Sequence, residues 1–557
     1  MLNSKDKTKI FKDPIYGYIT LPLEYSQKIV DTAIFQRLRR VLQTSYSPLY
    51  ASAIHNRFVH SVGVFHLGNM AAKSIATAAK EKTSIDHETI DNLSRIYTIA
   101  CLLHDVGHSP FSHTGEIYYK YKTNEEEISY SDLHARLLQL TDKSLKKDLP
   151  PKDSTSCAKP HEIMSAIVGI QCFGGLIGDK SDRDFFARCI TGYLYNSSGD
   201  IHDLKNCYIK MLNSKVIDVD RLDYLIRDAY ATGFATITID YERLLNAITI
   251  VRSEEGNKLA LAYHKNAVSV IENVIYAHDA EKKWIQNHPV VLYETYLIRH
   301  TLEELNKKLD SDKKRLFSEQ SLYEDGHLLN NDTKISLLCD DDIMYLAKSL
   351  VSDETSKELF SRKDRRHPIW KSEAEYKAYL GTLSGGEQKN KFVSCLASFS
   401  DSRNPDYIKP TVIDESLIEK ISKELLERKK QLEKTAPGNS QHDLKNNIKA
   451  LERKIKVCKF LLGKRNKLGK NCDFIILQTT MFTSNFSKTD LSKELISFES
   501  NGKEKVKKLE EVCALLTSST DPENCFYLFY TRGKKDSQQI VDVEDFCKEF
   551  FEIVVKE

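Results

Sequence analysis

The sequence is poor in tryptophan, with two in 557 residues, and it has no excess of one charge: 81 Lys+Arg face 79 Asp+Glu, a formal net charge of +2. Bulk electrostatics therefore names no partner. Long apolar runs are missing as well. None approaches the ~20 residues needed to cross a bilayer, and Met1 to Lys7 hold no apolar stretch of the kind that opens a signal peptide. The expectation is a cytoplasmic protein that does not enter a membrane. Its 12 cysteines are dispersed and none forms a C-x-x-C pair. A thiolate zinc site therefore has no support in the sequence, and in a reducing compartment such cysteines read as small buried apolar side chains. Internal repeats and long low-complexity tracts are also lacking.

What is present is a globular composition, 41% hydrophobic and 29% charged, long enough for a large core and several domains. Asp13-Pro14-Ile15-Tyr16-Gly17 punctuates a short strand or turn unit. From about Thr32 to Arg243 apolar spacing is mostly helical: Ile34, Leu38, Val41 and Leu42, then Val62, Phe65 and Met70. Arg95 to Leu103 reads as a core helix that ends at His104-Asp105. Residues 142–160, with Lys, Asp, Ser and two prolines, read as an exposed insertion. Between Ser416 and Lys470 stand 16 Lys+Arg against 6 Asp+Glu, interrupted by Ala436-Pro437-Gly438-Asn439, which predicts two charged helices joined by a turn. Phe474–Leu477 and Phe526–Tyr530 read as strands, and Val543 to Phe551 as a closing helix. The fold class is mainly α, a helical core with a small C-terminal α+β lobe. Its segments are a core over 1–380 with an insertion near 120–160, a basic helical stretch over 381–470 and the lobe over 471–557.

Four residues carry chemistry together: His60, the adjacent pair His104-Asp105, and Asp220. Imidazole and carboxylate suit a divalent ion such as Fe or Mn, and carboxylate oxygens accept Mg. Each sits among apolar residues, where an unpaired charge is costly. A lone His-Asp pair is weak evidence, since it also serves as a core hydrogen bond. Its company is stronger: His108 and His113 follow in a loop broken by Gly107 and Pro110, and His161-Glu162 opens the next helix.

The string His104-Asp105-Val106-Gly107-His108-Ser109-Pro110-Phe111-Ser112-His113 resembles the signature of HD-domain phosphohydrolases, and more narrowly that of the deoxynucleoside triphosphate triphosphohydrolases. This branch includes bacterial dGTPases and the sterile-alpha-motif/HD-domain dNTPase. Phe11–Gly17, Phe35–Arg40, His55–His60 and Asp218–Tyr224 agree with it in order, so the resemblance covers roughly residues 8–300. No sterile alpha motif precedes it here. The resemblance implies a divalent metal held by His60, His104, Asp105 and Asp220, and hydrolysis of a dNTP to deoxynucleoside and inorganic triphosphate. It implies that His113 donates a proton to the leaving 5′-oxygen, with His108 and His161 in the pocket and Glu116 and Glu162 behind them.

For the substrate, the resemblance implies Arg57 and Arg221 on phosphates, Tyr224 against the deoxyribose, and Asp228 and Gln43 on the 3′-hydroxyl. A ring pressed on C2′ would exclude ribonucleotides. The match frays at His278, which stands where the family carries a phosphate-binding arginine; Lys282 or Lys283 would have to replace that cation. Eukaryotic members bind an activating nucleotide, GTP or dNTP, between the subunits of a tetramer. Those positions correspond to Lys9, Asp31, Gln36 and Arg39, with Arg465 from the C-terminal region, and imply a homo-oligomer, dimer or tetramer. In a bacterial setting, dNTP depletion would serve antiviral defence by starving phage replication. The basic 416–470 stretch fits a solvated hairpin better than a surface for single-stranded nucleic acid or a partner protein. Leu383–Gln388 copies the signature of ABC-type ATPases, but the required phosphate loop is lacking, since Gly463 to Asn471 has the wrong spacing; a loop is expected there. Two readings stay open beside the dNTPase: another HD phosphohydrolase acting on nucleic-acid ends or signalling nucleotides, and a nucleotide sensor with little turnover.

Overall fold

The structure is a computed structural model. It describes residues 7–555 except 120, 124–127, 131, 151–157, 235–236, 254–256, 310–316, 324, 331–332, 363–364, 382, 384–385, 400–410, 435–438, 469–473, 480–492, 501–502, 514–524 and 531–542. The chain forms two compact units. One holds 1–281, 301–351 and 484–520, and the other holds 282–300, 352–483 and 521–557. These units interleave along the chain instead of following breaks at 380 and 470. Late strands explain this: Leu495–Ser500 returns to pair in parallel with Leu259–His264 of the first unit, and Phe526–Tyr530 pairs with His367–Pro368 of the second.

The first unit is built on a long helix, α1 (Arg57–Lys82). Asn56 caps it, accepting the Val59 N–H at 3.2 Å, and buried residues lie all around it, the mark of a central helix. Gly68 lets α2 (His87–Leu103) close upon it, since a Cβ there would meet Cys101 Sγ at 2.4 Å. The last two turns of α2, Ile96 to Leu103, are buried without interruption, which drives the helix through the core and delivers His104-Asp105 at its end. Gly107 then allows the backbone to pass α3 (Pro160–Ile177), where a Cβ would lie 2.4 Å from the Ser165 nitrogen. Asp218 caps α4 (Val219–Thr232) through the Arg221 N–H at 2.7 Å, and Gly233, in the left-handed region at φ +75°, ends it. A hairpin of Thr8–Asp13 with Gly17–Pro22 precedes these helices, and α5 (Val268–Glu281) follows them.

One expectation needs correction here. The periodicity of Ile34 to Leu42 yields only Ala33–Gln36 and a 3-10 turn Arg37–Arg40, because Val41 turns extended at φ −117°. The stretch 142–160 carries the short helix Lys143–Asp148, and among its described residues only Leu145 is buried.

In the second unit Phe474–Gln478 and Phe526–Tyr530 form a sheet in the order Thr411–Ile413, Phe474–Gln478, Phe526–Tyr530, His367–Pro368. All five residues of Phe526–Tyr530 are buried, as expected of a strand covered on both faces. Helix Val543–Val555 covers it with Phe546, Phe550 and Phe551, and Phe392 meets Phe551 edge-on at 4.6 Å. The basic stretch forms the helices Glu415–Lys434 and Asn439–Leu468; the connecting 435–438 lie outside the described residues. Gly386–Ala397 is helical, not the loop expected there: Glu387 in its first turn pairs with Lys391 at 3.0 Å, a helical i,i+4 contact. Among the described residues no helix is long and apolar enough to cross a membrane.

Candidate metal centre and histidine pocket

Three elements converge on one point. His60 comes from α1, His104 and Asp105 from the end of α2, and Asp220 from the first turn of α4. His60 Nε2 lies 3.0 Å from Asp220 Oδ1, 3.2 Å from His104 Nε2 and 3.5 Å from Asp105 Oδ2. His104 Nε2 lies 3.5 Å from Asp105 Oδ2 and 3.6 Å from Asp220 Oδ1. Atoms bound to one first-row ion at about 2.0–2.2 Å stand roughly 3 Å apart, so these separations fit a single ion.

The far sides of the rings decide which nitrogens are free. His104 Nδ1 donates to the Cys101 carbonyl at 2.9 Å, and His60 Nδ1 donates to Asp223 Oδ2 at 2.7 Å. Both Nε2 lone pairs and two carboxylate oxygens then face the same space, an arrangement that calls for positive charge. Without a metal a proton supplies it. Burial pushes the His60 imidazolium down, but its contacts with Asp220 and Asp223 overcome this and raise it to about 10. His104 is raised too, by Asp105 and Asp220 against its burial. The same contacts hold Asp220 well below the ordinary carboxylate range despite its burial. The donor set fits a divalent metal, with imidazoles oriented by partners behind them.

Those partners were legible only in part. Asp223 accepts from His60, from Arg227 Nε at 2.9 Å and Nη2 at 3.0 Å, and from the Tyr16 hydroxyl at 2.8 Å. Arg227 Nη1 also donates to Asp13 at 3.0 Å, and Asp13 receives the Ile15 and Tyr16 N–H groups. The Asp13-Pro14-Ile15-Tyr16-Gly17 turn is thus the outer wall of the centre. Spacing carried the signal: Asp220, Asp223 and Arg227 lie three and four residues apart on one face of α4. Gly63 closes the contact, since a Cβ there would stand 2.0 Å from Asp223 Oδ1.

Beside this centre His108, His113 and His161 gather. His108 and His161 stack with centroids 4.4 Å apart and planes at 18°, and His113 meets both edge-on at 5.1 and 4.7 Å. Their nitrogens lie close enough to hold an ion, but stacked rings send their in-plane lone pairs side by side instead of to a common point. Burial and then Arg57 and the neighbouring histidines push His108 far down. For His161 the causes are burial, then His113 and Lys159. His113 is reached by solvent yet stands in a cleft dense with protein atoms, and that desolvation, followed by Arg57 and Lys159, lowers it as well. Burial above all, with Arg57 and Lys159 nearby, thus favours the neutral form of these rings, which leaves them able to accept a proton when an anion arrives.

The remaining expected residues divide. Arg57 is buried with Nη1 on Asp105 Oδ2 at 2.6 Å and Nε on Ser112 Oγ at 2.9 Å. Gln43 and Asp228 are buried, and His55 Nε2 approaches Asp228 Oδ1 to 2.7 Å without hydrogen-bond alignment. Arg221 Nη2 donates to the Ser214 carbonyl at 3.4 Å, Tyr224 is half-buried and His278 buried. Glu162 accepts the Lys159 N–H at 2.7 Å and Asn213 Nδ2 at 3.1 Å, and burial raises it to about 7. Glu116 is half-buried on the 3-10 turn that carries His113. Lys282 and Lys283 belong to the second unit, where Lys283 pairs with Glu373 at 3.3 Å. Lys9 pairs with Asp31 at 3.3 Å, Gln36 Nε2 donates to the Val30 carbonyl at 2.7 Å, and Arg39 donates to Gln36 at 2.9 Å over the Phe58 ring. The Arg465 side chain lies outside the described residues.

His108 Nε2 faces Asp105 Oδ1 at 3.4 Å, while among the described residues Gln43 Oε1, His161 Nδ1 and His108 Nδ1 are buried without a hydrogen-bond partner. Each such atom costs about 1–3 kcal/mol, and a polar ligand removes that cost.

The fold and this centre define the class: residues 57–169 match the HD domain, and the chain carries one. An uncharacterized protein of Methanocaldococcus jannaschii is 30% identical over 302 residues, 54% of this chain and 51% of that protein. The SAMHD1 homolog of Dictyostelium discoideum, a deoxynucleoside triphosphate triphosphohydrolase by name, is 27% identical over 253 residues, 45% of this chain and 41% of its own. The chain spans about half the length of such curated relatives. Among solved structures, a hypothetical protein from Aquifex aeolicus shares the fold at a TM-score of 0.50 and 17% identity, over 98% of this chain and all of that one.

Proposed function

We propose that the chain is a metal-dependent phosphohydrolase that converts a dNTP to deoxynucleoside and inorganic triphosphate. The observation that carries this reading is the four-donor metal centre of His60, His104, Asp105 and Asp220, with His108 Nε2 3.4 Å from Asp105 Oδ1 beside it. A relative named as a dNTP triphosphohydrolase supports it. A divalent metal at His60, His104, Asp105 and Asp220 would polarise a phosphoryl oxygen and lower the pKa of water.

The residues' own work follows. Asp223 and the Cys101 carbonyl keep the imidazoles turned inward. Water attacks the α-phosphorus, the bond to the 5′-oxygen breaks, and His113 gives that oxygen its proton. Because His113 is neutral in the free site, it takes up this proton only once the phosphate brings negative charge beside it. Arg57 and Arg221 attract the triphosphate. Gln43 and Asp228 hold the 3′-hydroxyl, and Tyr224 packs on the sugar. Lys9, Asp31, Gln36 and Arg39 form the activating nucleotide site of a homo-oligomer.

The test is purified protein with Mn²⁺ or Mg²⁺, each dNTP singly and mixed, and products resolved by chromatography. Deoxynucleoside with intact triphosphate is expected, with turnover increased by nucleotide mixtures. Pyrophosphate or orthophosphate as first product sinks the reading, and tight dNTP binding without turnover favours a sensor.

A further inference from the structure

The loop between His108 and His113 turns through a strained corner. Phe111 and Ser112 stand consecutively in the left-handed region, at φ +58° and +52°, where residues other than glycine rarely go. Such backbone persists only where its surroundings over-determine it. What surrounds it is a second strained segment, since Leu337 also stands at φ +54°, just ahead of Leu338 to Asp340.

Asp340 is buried, and both its oxygens are committed to distant chain. Oδ1 accepts the Phe111 N–H at 2.7 Å, and Oδ2 accepts the Leu42 N–H at 2.9 Å. Ser112 Oγ donates to the Leu42 carbonyl at 2.5 Å and accepts from Arg57 Nε. Arg37, buried in the same place, donates to the His108 carbonyl and to the Leu338 carbonyl, the latter at 3.2 Å. An acid at the start of a helix ordinarily caps that helix. Here Asp342 does so, accepting the Cys339 N–H at 2.9 Å, which leaves Asp340 for another task. Its burial raises it to about 7, and the Leu42 and Phe111 N–H groups and Arg37 oppose that rise, so the two donors also favour its charged form.

We propose that Asp340 is a positioning residue: its carboxylate holds the Phe111–Ser112 corner in its left-handed turn and so sets where the His113 imidazole stands, while fixing the segment that carries Gln43. The catalytic meaning of His113 rests on the reading above; the positional claim does not. Asp340→Asn tests it, because the amide keeps the size and one acceptor but sets a donor against an N–H donor.

In the full chain, metal-loaded and with histidines labelled with ¹⁵N, Asp340→Asn is expected to keep its bound metal and the resonances of His60 and His104. Those of His113 and of its stacked neighbours His108 and His161 shift. Turnover falls on the order of 10²-fold, as for a misplaced catalytic group, with KM changed less than about twofold. Asp341→Ala, which removes only the exposed pair with Arg40, alters neither spectrum nor rate. An unshifted His113 resonance in metal-loaded Asp340→Asn overturns the proposal. If the wild-type chain hydrolyses no dNTP, the spectra alone decide, so failure of the functional reading stays separate. Should Asp340→Asn not fold, the same spectra are read on Asp340→Glu, which keeps the carboxylate and changes its reach: a His113 shift supports the proposal and an unshifted one overturns it.

Discussion

Two groups of histidines lie side by side in the first unit, and their pKa values are shifted in opposite directions. His60 faces Asp220, Asp223 and Asp105, which raise it to about 10 against its burial, and His104 is raised by Asp105 and Asp220. His108, His113 and His161 face Arg57 and Lys159, and with burial acting the same way all three are lowered. Burial is common to both groups, so the partners decide the sign. One group is built to surround a cation and the other to receive an anion, and Arg57, bound to Asp105 at 2.6 Å, separates them.

The largest effect that would break this contrast is loss of the centre itself. His104→Ala with Asp105→Ala is expected to lose bound metal and phosphohydrolase activity to background; full activity in that variant would eliminate the centre. Next comes Asp223→Asn, which leaves all four donors in place but loosens the His60 ring. Metal affinity should fall about 10–100-fold, measured by competition with a chelating dye. Smaller again is the proton competition. The metal needs neutral imidazole, and metal-free His60 holds its extra proton up to about pH 10. Uptake at neutral pH should therefore release protons, and affinity should rise with pH, which calorimetry in buffers of different ionisation enthalpy reads. The linked stability of the metal-free fold runs the other way: protonated His60 stabilises it fully below its unfolded pKa near 6.5, and this is lost as pH rises through about 10. Gly63→Ala probes the scaffold by forcing a methyl group against Asp223, at a cost of about 1–3 kcal/mol in unfolding free energy.

The sequence showed one side of the contrast better than the other. His60, His104, Asp105 and Asp220 were legible because ionisable residues inside apolar helices need a reason to be there, and the helices that carry them have clear periodicity. Asp223 was hidden in the Asp218–Tyr224 motif, since a carboxylate that orients a ligand and one that caps a helix look alike in one dimension, and Arg227 lies just beyond that motif. Asp340 was further out of reach: its contacts span 229 and 298 residues, and no local pattern encodes so long a closure. The breaks near 380 and 470 followed composition, whereas the compact units follow strand pairing between distant segments. The helix that starts at Gly386 reads as a loop when the Leu383–Gln388 motif is weighed only against a phosphate loop, without the Glu387–Lys391 spacing that favours a helix.

The central claim is that the carboxylate-lined histidines hold the metal and the stacked histidines do not. Metal content of the purified protein, by mass spectrometry after loading and dialysis, tests it most directly. One ion per chain is predicted, lost in His60→Ala and retained in His108→Ala and in His161→Ala. An ion that departs with His108 or His161 while surviving loss of His60 would contradict the account.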